Sequence, residues 1–162
     1  MKTISPKTID ETWERISQAS ESESRALARK MQDEQPVIMV YLLAMDEELY
    51  AETERGRLME LGAIIWQIMR AGGQKLPRVT EAELEQAEEA NLKWLEDLDA
   101  GREVDFLEAT QNLMRDYNQT PLLGALLEAL MQGHEDAPDL APENVGMALV
   151  YLKTIIDCLD KE

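Results

Sequence analysis

Nine carboxylates fall into two groups along the chain: Asp46, Glu47, Glu48 and Glu52, then Glu85, Glu88, Glu89, Glu96 and Asp99. Side chains of this type can supply an oxygen-only ligand set for Mg²⁺ or Mn²⁺. Such an ion activates water against phosphorylated substrates. The first group directly follows nine unbroken apolar residues, Val37 to Met45. The question is whether that junction is the wall of a metal site, a membrane segment or the edge of a core.

Spacing weakens the metal reading. On one continuous helix, Asp46, Glu47 and Glu48 spread over about 200° of the circumference, so they do not face a single ion together. The pairing of EExxE with ExxD, by which all-α nucleotide pyrophosphohydrolases hold their metal, is incomplete. Glu47, Glu48 and Glu52 read EExxxE, while Glu96–Asp99 is an ExxD and Glu85, Glu88 and Glu89 form ExxEE. With 33 acidic residues in the chain, fragments of this kind arise by chance. A di-iron bundle needs Glu-x-x-His pairs. The sole histidine, His134, stands in a Pro/Gly-rich stretch without one.

Other chemistries find less support. There is one cysteine, Cys158, in apolar surroundings where a thiol is inert. It allows neither an intramolecular disulfide nor a cysteine-based zinc site. No GxSxG, GxGxxG or phosphate-cradling glycine loop occurs.

The net charge of −17 is unevenly spread. Residues 1–78 hold eleven basic and thirteen acidic residues, whereas residues 79–162 hold five and twenty. Such a surface repels nucleic-acid phosphates and anionic lipid, so neither is an expected partner. It serves solubility, and it also offers a docking face to a basic protein. The nine-residue apolar run falls far short of the roughly 20 residues that cross a bilayer. Residues 1–13, MKTISPKTIDETW, lack the apolar segment of a signal peptide, and a cytoplasmic protein is expected.

The elements that must position these residues are helical throughout. Thr8 or Asp10 is expected to open a first helix with Ile9, Trp13 and Ile16 on its inner face. Residues 1–7 are expected to be disordered. SQASESES reads as a break or weak helix before Arg25–Glu34, and Pro36 begins the next helix through VIMVYLLAMDEELY.

A second apolar segment, LMELGAIIWQIM, puts Leu58, Leu61, Ile65, Ile68 and Met69 on one stripe, with Gly62 and Ala63 open to close approach. These two segments, apolar all round, are expected at the centre of the domain. Ala71–Gly73 stops the second, and Thr80 with Glu83 forms a capping box. The helix after Thr80 carries Leu84, Ala87, Asn91, Trp94, Leu95 and Leu98 inward until Gly101.

A further helix carries Val104, Leu107, Gln111 and Met114 with Phe106 beside them. Thr120–Pro121 caps LLGALLEALM, which ends at Gly133. Residues 134–142 form a loop. A last helix, from about Glu143 to Asp160, faces inward with Val145, Leu149, Leu152, Ile156 and Leu159.

The expectation is therefore one all-α domain over residues 1–162, a bundle of six to eight helices. Its expected role is protein–protein interaction, as an adaptor or regulator or by self-association, through the acidic C-terminal half and an apolar helix face. The alternative is a Mg²⁺- or Mn²⁺-dependent hydrolase of nucleotides or other phosphorylated small molecules, using the nine carboxylates.

Overall fold

The first helix starts where proline can begin one. Ser5 is the N-cap, its Oγ accepting the Thr8 N–H at 3.2 Å, and Pro6 follows it. In the computed structural model this gives α1 (Pro6–Ser17), which begins before either Thr8 or Asp10, the starts expected from sequence. The structure describes residues 1–45, 47–100, 106–132 and 140–161, with only the backbone of residues 99, 100, 106 and 107. Among these are α2 (Glu21–Glu34), α3 (Pro36–Leu43), α4 (Glu52–Ala71), α5 (Glu81–Ala100), α6 (Phe106–Arg115), α7 (Thr120–Met131) and α8 (Val145–Leu159). A 3₁₀ turn, Pro142–Asn144, leads into α8, and no strand occurs among the described residues. The fold is an all-α bundle.

The Ser/Glu stretch, expected as a break or a weak helix, is the start of α2. Ser20 caps the Glu23 N–H, and the Glu23 carboxylate accepts the Ser20 N–H at 2.7 Å, a reciprocal capping box. Thr80 and Glu83 form a second box at the start of α5, as expected. α4 ends where its glycines stand, and Gly73 takes the positive φ of 82° that glycine adopts freely. At α7 the cap is Gln119 rather than Thr120, whose hydroxyl instead donates to the Met114 and Tyr117 carbonyls.

The core sits on α4 and α8. Leu58, Leu61, Ile64, Ile65, Trp66, Ile68 and Met69 are all buried on α4. The expected inner face of α8 is buried from Leu149 onward, joined by Ala148, Val150, Ile155 and Cys158. α8 packs against α4, α5 and α7, while α1 and α2 pack against α4. Residues 1–5 lead into α1 with Ile4 buried, its N–H donating to Gln119 Oε1 at 3.1 Å, and the Met1 ammonium 3.2 Å from Asp160.

Two further expectations are corrected. The run beginning at Pro36 is not a central helix: it ends at Leu43 and buries only Ile38 and Leu42. It seats them against α4, where the place of a Gly62 Cβ lies 2.6 Å from Leu42 Cδ1, so the missing side chain lets the helices close up. Gln111 on α6 is exposed rather than inward, because Ala109 and Thr110 take the buried positions. Val104 and Gly101 lie outside the described residues.

Candidate functional site

α3 is apolar on every side, but neighbours cover only part of it. Ile38, Leu42 and Met45 recur at i, i+4 and i+7 and are buried, so the opposite side faces out. Val40 and Leu43, three residues apart on that side, are 64% and 66% exposed. Leu49, in the connection to α4, is 52% exposed. Of the four large apolar side chains found exposed among the described residues, three thus fall between positions 40 and 49. Exposed apolar side chains so close together in the chain stand out, whereas single exposed leucines need no explanation.

The backbone beneath the cluster is held firmly. Glu54, buried in the first turn of α4, accepts the N–H of Ala51 and of Ala141, both at 2.8 Å, and the Asn144 amide at 3.1 Å. Burial pushes its pKa up, but these donors together outweigh that and hold the carboxyl below its ordinary value. Asn144 also donates to the Leu49 carbonyl at 3.1 Å. The connection is thereby tied to the 3₁₀ turn while the Leu49 side chain stays outside. On the inner side, the Tyr41 and Tyr50 rings lie 5.2 and 6.1 Å from Tyr151.

The carboxylates expected to hold a metal are dispersed. Glu47 and Glu48 are exposed in the α3–α4 connection, with Glu47 2.9 Å from Arg55. Glu52 is exposed at the start of α4. Glu85, Glu89 and Glu96 are exposed along α5, and Glu88 accepts the Tyr41 hydroxyl at 3.0 Å. Asp46, the Asp99 side chain and His134 lie outside the described residues. Among those described, no group of three or more His, Cys, Asp or Glu side chains comes together to hold a metal ion. Glu47, Glu48 and Glu52 stand exposed in the same stretch of chain as the exposed apolar residues.

A buried charge occurs elsewhere, and sequence reading passed over it. Lys153, 8% exposed on α8, donates to Asp157 at 2.6 Å and to Asn91 Oδ1 at 2.9 Å. Asn91 Nδ2 donates to Thr154 and Asp157, each at 3.0 Å, and the Tyr117 hydroxyl donates to Asp157 at 2.6 Å. The ammonium also lies 4.8 Å from the Tyr117 ring centre. Burial, then the Asp157 charge, raises the Tyr117 phenol far above its ordinary pKa. Each of these polar groups is engaged by another, so the network acts as a joint between α5 and α8. The legible signal was a lysine four residues after Leu149, on the apolar stripe of α8. Cys158 is buried there too, and burial pushes its thiol up to about 11.

The chain matches no protein-family model, no curated protein and no solved structure. No helix among the described residues is long and apolar enough to cross a membrane.

Proposed function

We propose that this protein is an adaptor or regulatory domain of the cytoplasm, acting by protein–protein interaction through the outer face of α3 and the α3–α4 connection. The observation that carries this reading is the exposure of Val40, Leu43 and Leu49 within residues 40–52, a stretch that also holds the exposed Glu47, Glu48 and Glu52. A stretch that exposes both apolar and acidic side chains suits a partner helix that presents leucines or isoleucines flanked by lysine or arginine. A second copy of this chain suits it less, because two acidic stretches would meet in a protein of net charge −17. The buried, lone thiol of Cys158 fits a reducing compartment. The hydrolase alternative needs carboxylates converging on one ion, and the described ones are spread over α5 and the α3–α4 connection.

The test is fluorescence anisotropy with a designed amphipathic peptide, leucine on one face and lysine on the other, against the protein and its V40D/L43D variant. The two aspartates add negative charge and so strengthen general attraction for the lysines. A loss of affinity therefore reports the apolar contact alone. The expected loss is about tenfold or more, the scale of removing two interface anchors. Equal affinity of the two proteins sinks the proposal. So does a wild-type dimer in light scattering that V40D/L43D converts to monomer, which would assign the face to self-association.

A further inference from the structure

On a chain so acidic, one cleft is basic. It holds about 1200 Å³ between the ends of α1, α2 and α4, the segment 74–78 and the C-terminus. Arg15, Arg70, Lys75, Arg78 and Lys161 line it, against two carboxylates, Asp33 and Glu34. Five of the 16 lysines and arginines of the chain thus gather at one concavity.

Part of this has an ordinary cause. Arg15 and Arg70 stand in the last turns of α1 and α4, where the helix dipole favours positive charge. Arg70 pairs with Glu34 at 3.2 Å and lies over the Trp66 ring, and Lys161 pairs with Glu83 at 2.6 Å. Lys75 and Arg78 have neither reason. They belong to no helix, are exposed, and have no ion-pair partner among the described residues. The segment that carries them is nonetheless fixed, because the buried Gln35 amide donates to the Pro77 carbonyl at 2.6 Å and accepts the Val79 N–H at 3.0 Å.

A second, independent observation lies in the same wall. Gln67 of α4 is 5% exposed and lines the cleft, yet its buried Nε2 has no hydrogen-bond partner among the described residues. An unpaired buried amide costs stability, and natural proteins rarely keep one without use. That nitrogen is closed to solvent as the side chain stands, so an anion in the cleft reaches it only by a rotation of the Gln67 side chain toward the cations.

We infer that this cleft binds a small molecule bearing at least two phosphate groups, held by Arg15, Lys75 and Arg78 with Arg70 and Lys161 beside them and the Gln67 amide at the wall. Guanidinium forks match phosphate oxygens in pairs, and a concave site concentrates the field of its charges. Containment decides against a polymeric anion. A small diphosphate fits wholly inside the cleft, whereas an acidic polypeptide or a nucleic acid would run on over a surface that repels it. This site is separate from the α3 face, and neither reading depends on the other.

The test is calorimetric titration of inorganic pyrophosphate, and then of ADP, into the full chain at low ionic strength. Saturable one-to-one binding is expected. K75Q/R78Q should weaken it by about tenfold or more, since both side chains are exposed and unpaired and their loss leaves the fold intact. K93Q, which removes an exposed cation on α5, should leave affinity unchanged. Q67L separates a ligand role from a packing flaw: affinity should fall while the melting temperature holds or rises. Absence of binding heat, or equal losses in K75Q/R78Q and K93Q, overturns the inference. Q67L binding as tightly as wild type overturns the part assigned to Gln67. A poly-glutamate of equal charge binding more tightly than pyrophosphate would hand the cleft to an acidic polypeptide.

Discussion

α3 and the middle of α4 are written in nearly the same alphabet and meet opposite fates. PVIMVYLL is apolar on all sides, yet Val40 and Leu43 face solvent; LGAIIWQIM is buried from Ile64 to Met69. The difference lies in how much of each helix its neighbours cover. α4 runs 20 residues and is packed by α1, α2, α3 and α8. α3 runs eight residues, is joined to α2 by Gln35 alone, and packs mainly on α2 and α4, with Tyr41 reaching Glu88 of α5 and Tyr151 of α8, while Val40 and Leu43 stay uncovered. Apolarity all round therefore marks either a helix with neighbours on every side or one that leaves a face for something else. The periodicity of the helix alone does not separate the two.

The largest expected effect exploits that contrast. Ile65→Ala on α4 should cost about 2–5 kcal/mol, because the lost methyl groups leave a cavity in a packed interior. Leu43→Ala on α3 should change stability by no more than about 0.5 kcal/mol, as surface substitutions do. Urea denaturation at pH 7 measures both. A Leu43→Ala cost equal to that of Ile65→Ala would mean that the outer face of α3 is covered, and the comparison would fail.

A middle-sized effect tests how α3 is seated. A Cβ at Gly62 would stand 2.6 and 2.8 Å from the two Leu42 methyl carbons, so Gly62→Ala pushes α3 outward. Overpacking costs about 1–3 kcal/mol. Alanine recovers about 0.8–1 kcal/mol of helix propensity. A net loss of about 1 kcal/mol is expected. Leu42→Ala removes the obstacle, so the double variant should lose less than the two single losses added together. Strict additivity in a double-mutant cycle would show that α3 does not rest on Gly62.

What was legible in the sequence follows the same division. The stripes of α4 and α8, the Thr80–Glu83 box and the stop at Gly73 are local patterns, and they can be read from spacing. The Ser20–Glu23 box was equally local but was hidden in a Ser/Glu-rich stretch that resembles a linker. The exposed side of α3 was not legible, because it depends on which helices lie beyond it. The cleft was less legible still. Arg15, Arg70, Arg78 and Lys161 come from four separate places in the chain, and each alone reads as an ordinary solvated cation. The two carboxylate groups were conspicuous as motifs, yet burial and hydrogen bonding single out Glu54, which neither group contained.

The smallest expected effect sits where an exposed contact is polar rather than apolar. Lys161, 2.6 Å away, holds the Glu83 carboxyl down to about 2, helped by the Thr80 N–H and hydroxyl. A carboxyl whose pKa falls on folding adds stability above its ordinary value of 4.5, and that stability is lost as pH drops toward 2. The wild-type urea midpoint should therefore fall further between pH 6 and pH 2 than that of Glu83→Gln, which has no proton to take up there. Added salt should narrow the gap, because the pair is half-exposed and solvent screens its attraction. At neutral pH Glu83→Gln also frees Lys161 towards the cleft, so pyrophosphate should bind it at least as tightly as wild type. Identical pH profiles for the two proteins would show that the bond between the start of α5 and the C-terminus adds nothing to the fold. Polar exposure would then be as neutral for stability as the exposed leucine on α3.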